Sequence, residues 1–559
     1  MRKSFLKSTF AAATVAMIAA SCGTTGPVIT STPIEDIDQQ PLKNSSLTDT
    51  QMKGWGGSDL VTDTIPGMSV QKAYDEILKD YKGKTVIVGV IDSGVDIEHE
   101  DLKNVLWTNE KEIPGNGIDD DNNGYVDDIH GWNFLGDAVA ENLEFVRIVK
   151  RLQPKYEGKT PVEISAENKA EYAMYQKAQQ EYEKKFNETT KNTNYYKQLL
   201  QTLEKSEEAV SKELGKEDFS QEELAALDAN TQELKEAKGF LGNIMANIGN
   251  LEDAKKQLKG GIDYFSGGLE THYNLDLNGR DIVGDDPYDI TDTNYGNGNV
   301  SGPDPKKKDA KHGTHVAGII AAERNNGIGI NGVAKNVEIM AVRAVPDGDE
   351  YDKDIALAIR YAVDNGAKVL NTSFGKYFSQ NPEWVVDAIK YAADHDVLIV
   401  NAAGNDALDM DASHIYPNDQ DPENEMEYAD NFLTVGASNY EYGSKLVASF
   451  SNYGKTNVDV FAPGTEIWST TPLNEYEFLQ GTSMASPAVA GVAALIRSYY
   501  PKLTAAQVKN VIMQSGLSSN SNVVVGGDSK DVRPFNELSV SGKMVNLYNA
   551  LILADKMSK

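Results

Sequence analysis

The stretch Gly481-Thr482-Ser483-Met484-Ala485-Ser486-Pro487 decides how this 559-residue chain is read. Behind it Ala488, Val489, Ala490, Val492, Ala493, Ala494, Leu495 and Ile496 form an apolar run of helix formers that ends near Pro501. The pattern predicts a turn that delivers Ser483 to the first turn of a buried helix. Unsatisfied N–H groups and the positive end of the helix dipole gather there, a setting that stabilises an alkoxide or an oxyanion. A serine in that position is also a good helix cap, so the stretch alone leaves two readings open.

Further out, Lys84-Thr85-Val86-Ile87-Val88-Gly89-Val90-Ile91 is a β-branched run of the kind found in buried parallel strands, and it ends in Asp92-Ser93-Gly94. An acid at the C-terminal end of such a strand lies where open α/β sheets build their sites. His312-Gly313-Thr314-His315-Val316-Ala317-Gly318 runs into Ile319, Ile320 and Ala321, a second helix start. Asp, then His, then Ser is the chain order of the subtilisin form of the Ser-His-Asp triad. At these three motifs the chain resembles the subtilisin-like serine peptidases.

The resemblance covers about residues 70–135 and 270–555. It implies an α/β fold: a subtilisin-like doubly wound, mostly parallel sheet with helices on both faces. It also implies that Ser483 is the nucleophile, His312 its base, and Asp92 the group that orients the imidazole. His315 falls on the family's structural position. Val397-Leu398-Ile399-Val400-Asn401-Ala402-Ala403-Gly404-Asn405 resembles the oxyanion-hole segment, which makes Asn405 a side-chain donor beside the Ser483 N–H. Asn371-Thr372-Ser373-Phe374-Gly375 resembles the edge strand to which a substrate peptide adds through its backbone. Ser373, Phe374 and Gly375 would then frame, with Ala402, Ala403 and Gly404, the pocket for the residue before the cut. Those small, apolar walls predict tolerance of larger apolar side chains, and Tyr351 is expected to cover a more distant pocket.

Composition narrows the partners. A formal net charge of −31 argues against nucleic acid and anionic membrane surfaces, both of which repel an acidic protein. The single cysteine, Cys22, excludes an intramolecular disulfide and a Cys-rich zinc site. Arg2, Lys3 and Lys7, the apolar run from Phe10 to Ala20 and the small residues before Cys22 read as a signal peptide over 1–21. The segment resembles that of a bacterial lipoprotein, which implies a lipid on Cys22 and a place in the cell envelope, on the periplasmic face or the cell surface. Residues 22–69 are poor in large apolar side chains and read as a flexible tether, without the strand-and-helix patterning of an inhibitory propeptide.

Two parts of a catalytic domain, 70–135 and 271–559, flank a charged helical insertion over 136–270. In the insertion Tyr175, Tyr182, Tyr196, Leu203 and Val210 fall on a seven-residue spacing, with Phe186 and Leu200 at the +4 positions: a coiled-coil-like stripe interrupted at Thr189. It reads either as a bundle packed on the catalytic domain or as an arm that binds a protein partner. Calcium is the expected metal. Asp119, Asp121, Asn123, the Tyr125 carbonyl and Asp127 follow the alternating oxygen spacing of an EF-hand-like loop, although His130 stands where that loop has Glu. The family resemblance implies a second calcium site at Asp101 and Asn326.

Together these readings describe a lipid-anchored, calcium-braced serine endopeptidase acting on protein or peptide substrates. The alternative is a silent or partner-activated protease-fold lipoprotein whose insertion binds a partner.

Overall fold

A computed structural model describes residues 29–559 apart from 36, 42, 44, 80 and 422–425; the expected signal peptide and Cys22 lie outside the described residues. In chain order the strands are β1 (Val86–Asp92), β2 (Gly131–Asn133), β3 (Val337–Arg343), β4 (Val369–Thr372), β5 (Leu398–Ala402), β6 (Phe432–Ser438), β7 (Val460–Pro463), β8 (Ile467–Thr471), β9 (Glu475–Leu479), β10 (Leu517–Ser518), β11 (Asn522–Val524), β12 (Val532–Pro534) and β13 (Lys543–Met544). One nine-stranded sheet runs in the order β10-β13-β7-β6-β5-β4-β1-β3-β2. Every pairing in it is parallel except that of β10 with β13. Apolar clusters cover both faces, one built on the helix Thr482–Tyr499 and the other on the helices Asp352–Asp364 and Pro382–Asp394. Burial on both faces explains why these strands are continuous apolar runs rather than alternating ones.

The register sets up the site. β1 lies between β3 and β4, so the strand order reverses there, and in doubly wound sheets the ligand crevice forms at the strand ends beside such a switch. Ile91 pairs with Thr372, and Thr372 with Asn401. The ends of three adjacent strands therefore bring Asp92, Ser373–Gly375 and Ala402–Asn405 to one edge.

The reading of residues 22–69 as a tether is corrected over its described part. Thr48 caps the helix Asp49–Gly54, and Trp55 is 1% exposed with Nε1 donating to the Thr465 carbonyl at 2.9 Å. Ile37, Leu60, Ile65 and Met68 are buried as well. The apolar residues are few but each is an anchor, which a composition average conceals. The helix Val70–Ala73 continues as a wider π-turn, Tyr74–Leu78, and stops at Lys79, whose φ is +34°.

Between β2 and β3 stands a helical arm: Glu144–Tyr156, the 46-residue helix Lys169–Leu214, Gln221–Ala226, Gln232–Ile248 and Leu251–Glu270. It has two separate apolar cores. The base core joins Phe145, Tyr156, Tyr172 and Tyr175 to Phe378 of the sheet domain. The distal core joins Leu203 and Val210 to Leu224, Leu234, Leu241 and Met245. Between them the apolar stripe is interrupted at Thr189 as expected, while the helix runs on: Thr189 and Thr193 are both buried, and the Thr193 hydroxyl donates to the Thr189 carbonyl. Phe186, by contrast, stays 37% exposed.

Candidate active site

Asp92 sits at the end of β1 with 1% exposure. Its Oδ1 accepts from the Ser93 N–H and from His312 Nδ1, each at 2.7 Å. His312 opens the helix Lys311–Ala321 and keeps 38% of its side chain exposed. The close approach of that helix to β1 needs Gly313, where a Cβ would stand 2.1 Å from the Gly94 carbonyl oxygen. Burial disfavours the charged imidazole, but the Asp92 carboxylate and its hydrogen bond outweigh that and hold His312 above the usual 6.5. His315 is turned away: its Nε2 donates to the Ile467 and Glu477 carbonyls of the β8–β9 hairpin at 3.0 and 3.1 Å. Burial pushes its pKa down to about 4, so it stays neutral.

Ser483 lies in the first turn of Thr482–Tyr499, behind Gly481, whose φ is +150°. Its Oγ donates to the Ser373 carbonyl at 3.2 Å, and the Ser373 hydroxyl donates to the Ser483 carbonyl at 2.9 Å. Pro487 explains that second bond. Having no N–H, it leaves the carbonyl four residues back free to accept from outside the helix. Asn405 clamps the same turn: its Oδ1 accepts from the Thr482 N–H at 2.8 Å and from the Thr482 hydroxyl at 3.1 Å. With Oδ1 so committed, Nδ2 is the end left to donate. The structure thus forms two bonded groups at neighbouring strand ends, Asp92 with His312 and Ser373 and Asn405 with the Ser483 turn, and the Ser483 hydroxyl is turned to the Ser373 carbonyl rather than to His312.

Phe374 and Gly375 follow Ser373 along one wall, and Ala402, Ala403 and Gly404 along the other. A residue outside the expected set stands between them. A Cβ on Gly375 would lie 3.4 Å from Ile415 Cγ2, and one on Gly404 3.7 Å from Ile415 Cδ1. Ile415 is itself 5% exposed. Tyr351 is corrected: it is buried, with the Arg147 guanidinium 3.9 Å and that of Arg280 4.9 Å from its ring centroid, and it packs at the base of the arm.

The acidic loop is partly as expected. Asp119 and Asp121 come together with Glu112, their carboxylate oxygens all within 4.8 Å of one another. Asn123 accepts from the Tyr125 N–H and donates to Asp128, and the Tyr125 ring packs on Trp132 and Tyr361. Asp127 stands apart from these three carboxylates; its own accepts from the N–H groups of Gly115, Asn116 and Gly117. Glu112, seven residues before Asp119 and outside a count of loop spacing, joins the cluster while its own carboxylate accepts from the N–H groups of Asp120, Asp121 and Asp127. At the second site buried Asp101 meets Asn326, whose Nδ2 donates to Asp101 Oδ1 at 2.6 Å, while Oδ2 accepts from the Ile330 N–H. Arg324 stays clear of it, stacked 3.8 Å from the Tyr74 ring centroid.

The profile of the Subtilase family matches residues 83–530. The chain is 43% identical over 239 residues to the thermophilic serine proteinase of Bacillus sp. (strain AK1), covering 43% of this chain and 50% of that protein. It is 36% identical over 262 residues to subtilisin BL of Lederbergia lenta, covering 46% of this chain and 84% of that one. The chain thus spans half the length of the first relative and most of the second. A solved structure, the prenylagaramide maturation protease PagA, aligns at 28% identity with a TM-score of 0.35, covering 44% of this chain and 82% of that one. From the family profile and the identities to these proteinases, the chain belongs to the subtilase family.

Proposed function

We propose that the protein is a serine endopeptidase. The observation that carries this reading is the convergence, at one sheet edge, of the 2.7 Å His312–Asp92 pair, the Ser483 turn and the Asn405 clamp. His312 accepts the Ser483 proton as Oγ attacks the peptide carbonyl and returns it to the leaving amine; Asp92 stabilises the imidazolium in between. Asn405 Nδ2 and the Ser483 N–H receive the oxyanion. The peptide lies along Ser373–Gly375 as an added strand. Ile415 fills the slot that the glycines leave open, so the residue before the cut is small, contrary to the larger apolar side chains expected from the walls alone.

Calcium would be held by Glu112, Asp119 and Asp121, three carboxylates whose only cation within salt-bridge reach among the described residues is Lys111, 3.7 Å from Asp121. Asp101 with Asn326 forms the second site. Both brace loops rather than take part in chemistry. The lipid on Cys22 anchors the enzyme to the bacterial envelope. Among the described residues no helix is long and apolar enough to cross a membrane.

Hydrolysis of fluorescein-labelled casein by the chain starting at residue 22 tests the central reading. Turnover that disappears in Ser483→Ala is the expected result. Equal turnover by both proteins, or none by a folded wild type, rejects it. Metabolic labelling with palmitate, lost in Cys22→Ala, tests the anchor.

A further inference from the structure

The segment that follows the peptide-binding wall does not end in solvent. Lys376 is 2% exposed, and its backbone N–H and carbonyl exchange hydrogen bonds with Tyr416 at 2.9 and 2.8 Å. Its ammonium reaches down to Asp352 Oδ1 at 2.9 Å, the Glu350 carbonyl at 2.7 Å and Glu144 Oε2 at 3.3 Å. Glu144 belongs to the first helix of the arm, not to the sheet domain. It is held there by Arg147 and by Gln380 Nε2 at 2.6 Å. Two residues further along the segment, Phe378 enters the base core of the arm against Phe145, with ring centroids 5.7 Å apart.

Charges this deeply buried tolerate no loose geometry: each must keep its partner or meet a large desolvation cost. The wall is therefore fixed at both ends. Ser373 is tied to the Ser483 turn, and Lys376 and Phe378 are tied to the arm. Gly375, exposed between these anchors, is left to meet the peptide. On this basis, and resting on the proposed peptidase reading, we infer that Glu144 is a positioning residue: acting through Lys376, it sets the peptide-binding wall, so that the base of the helical arm governs affinity for extended substrates.

The attack of Ser483 on a small acyl group needs no peptide on the wall, whereas a long chain does, and this separates positioning from general damage. Glu144→Gln removes the arm's charge from Lys376, and Phe378→Leu loosens the apolar half of the same joint. Both are compared with wild type on fluorescein-casein and on p-nitrophenyl acetate, at a temperature where melting curves show each protein folded. The apparent KM for casein is expected to rise about tenfold in Glu144→Gln and in the same direction in Phe378→Leu, with kcat/KM for the ester within about twofold of wild type. An unchanged casein KM in both folded variants overturns the inference. So does a parallel fall in ester and casein hydrolysis, which marks a merely structural role. A wild type that hydrolyses neither substrate removes the peptidase reading itself, a different failure.

Discussion

At the scale of the residue, His312 makes the sharpest statement about pH. Only the neutral imidazole accepts the Ser483 proton, so hydrolysis rises as His312 deprotonates. Because Asp92 holds that pKa above 6.5, the acid limb of kcat/KM is expected to have its midpoint above 6.5. Asp92→Asn should move the midpoint down and cost roughly 10⁴ in kcat; a midpoint unmoved by the substitution contradicts the pairing. His315, neutral down to about 4, adds nothing to that limb. Ile415→Ala opens the slot between Gly375 and Gly404, and kcat/KM for peptides with Phe before the cut should rise about tenfold relative to those with Ala. An unchanged ratio means that the slot does not receive this side chain. Asp92, His312 and Ser483 were legible because each stands in a short motif whose spacing is chemical. Ile415 was not, since it enters the pocket from a loop and carries no local signal. Tyr351 was misplaced because nothing in the sequence shows that Arg147 and Arg280 enclose it.

At the scale of the element, the strands declared themselves as apolar runs, and the helix behind Ser483 by its apolar length. The acidic loop declared itself only in part. Alternation found Asp119 and Asp121, but which carboxylate completes the group depends on how the loop folds back, and that brings in Glu112 and turns Asp127 toward Gly115–Gly117. Calcium at about a hundredfold excess over its dissociation constant should raise the melting temperature by roughly 2 °C. Glu112→Gln should abolish most of that gain while leaving the melting temperature in chelator near that of wild type. A gain undiminished in Glu112→Gln places the ion elsewhere. The stretch before β1 shows the opposite limit: a segment thin in apolar residues still packs when Trp55, Leu60 and Met68 each find a cavity to fill.

At the scale of the whole molecule, the sequence separated a helical insertion from an α/β body, but a heptad stripe could not reveal two cores with different duties. The distal core makes no contribution to the wall beside Ser483, whereas the base core shares Phe378 with it. The long helix and its return helix run side by side, with the Tyr196 and Phe265 ring centroids 5.5 Å apart. Replacing 197–260 by a short Gly-Ser linker should therefore leave a folded protein with casein turnover within about threefold of wild type, since long surface excursions are removed at little cost. Deleting 144–270 takes Glu144 from Lys376 and Phe145 from Phe378 and should abolish turnover of casein. Loss of activity on removing 197–260 alone, in a folded protein, would favour the partner-activated alternative.

The most direct test of the central claim is covalent labelling of the whole chain with a fluorophosphonate, followed by mass spectrometry of the modified peptide. One adduct is expected, on Ser483, absent in Ser483→Ala and strongly slowed in His312→Ala. A folded protein that takes up no label, or takes it up on another serine, contradicts the claim.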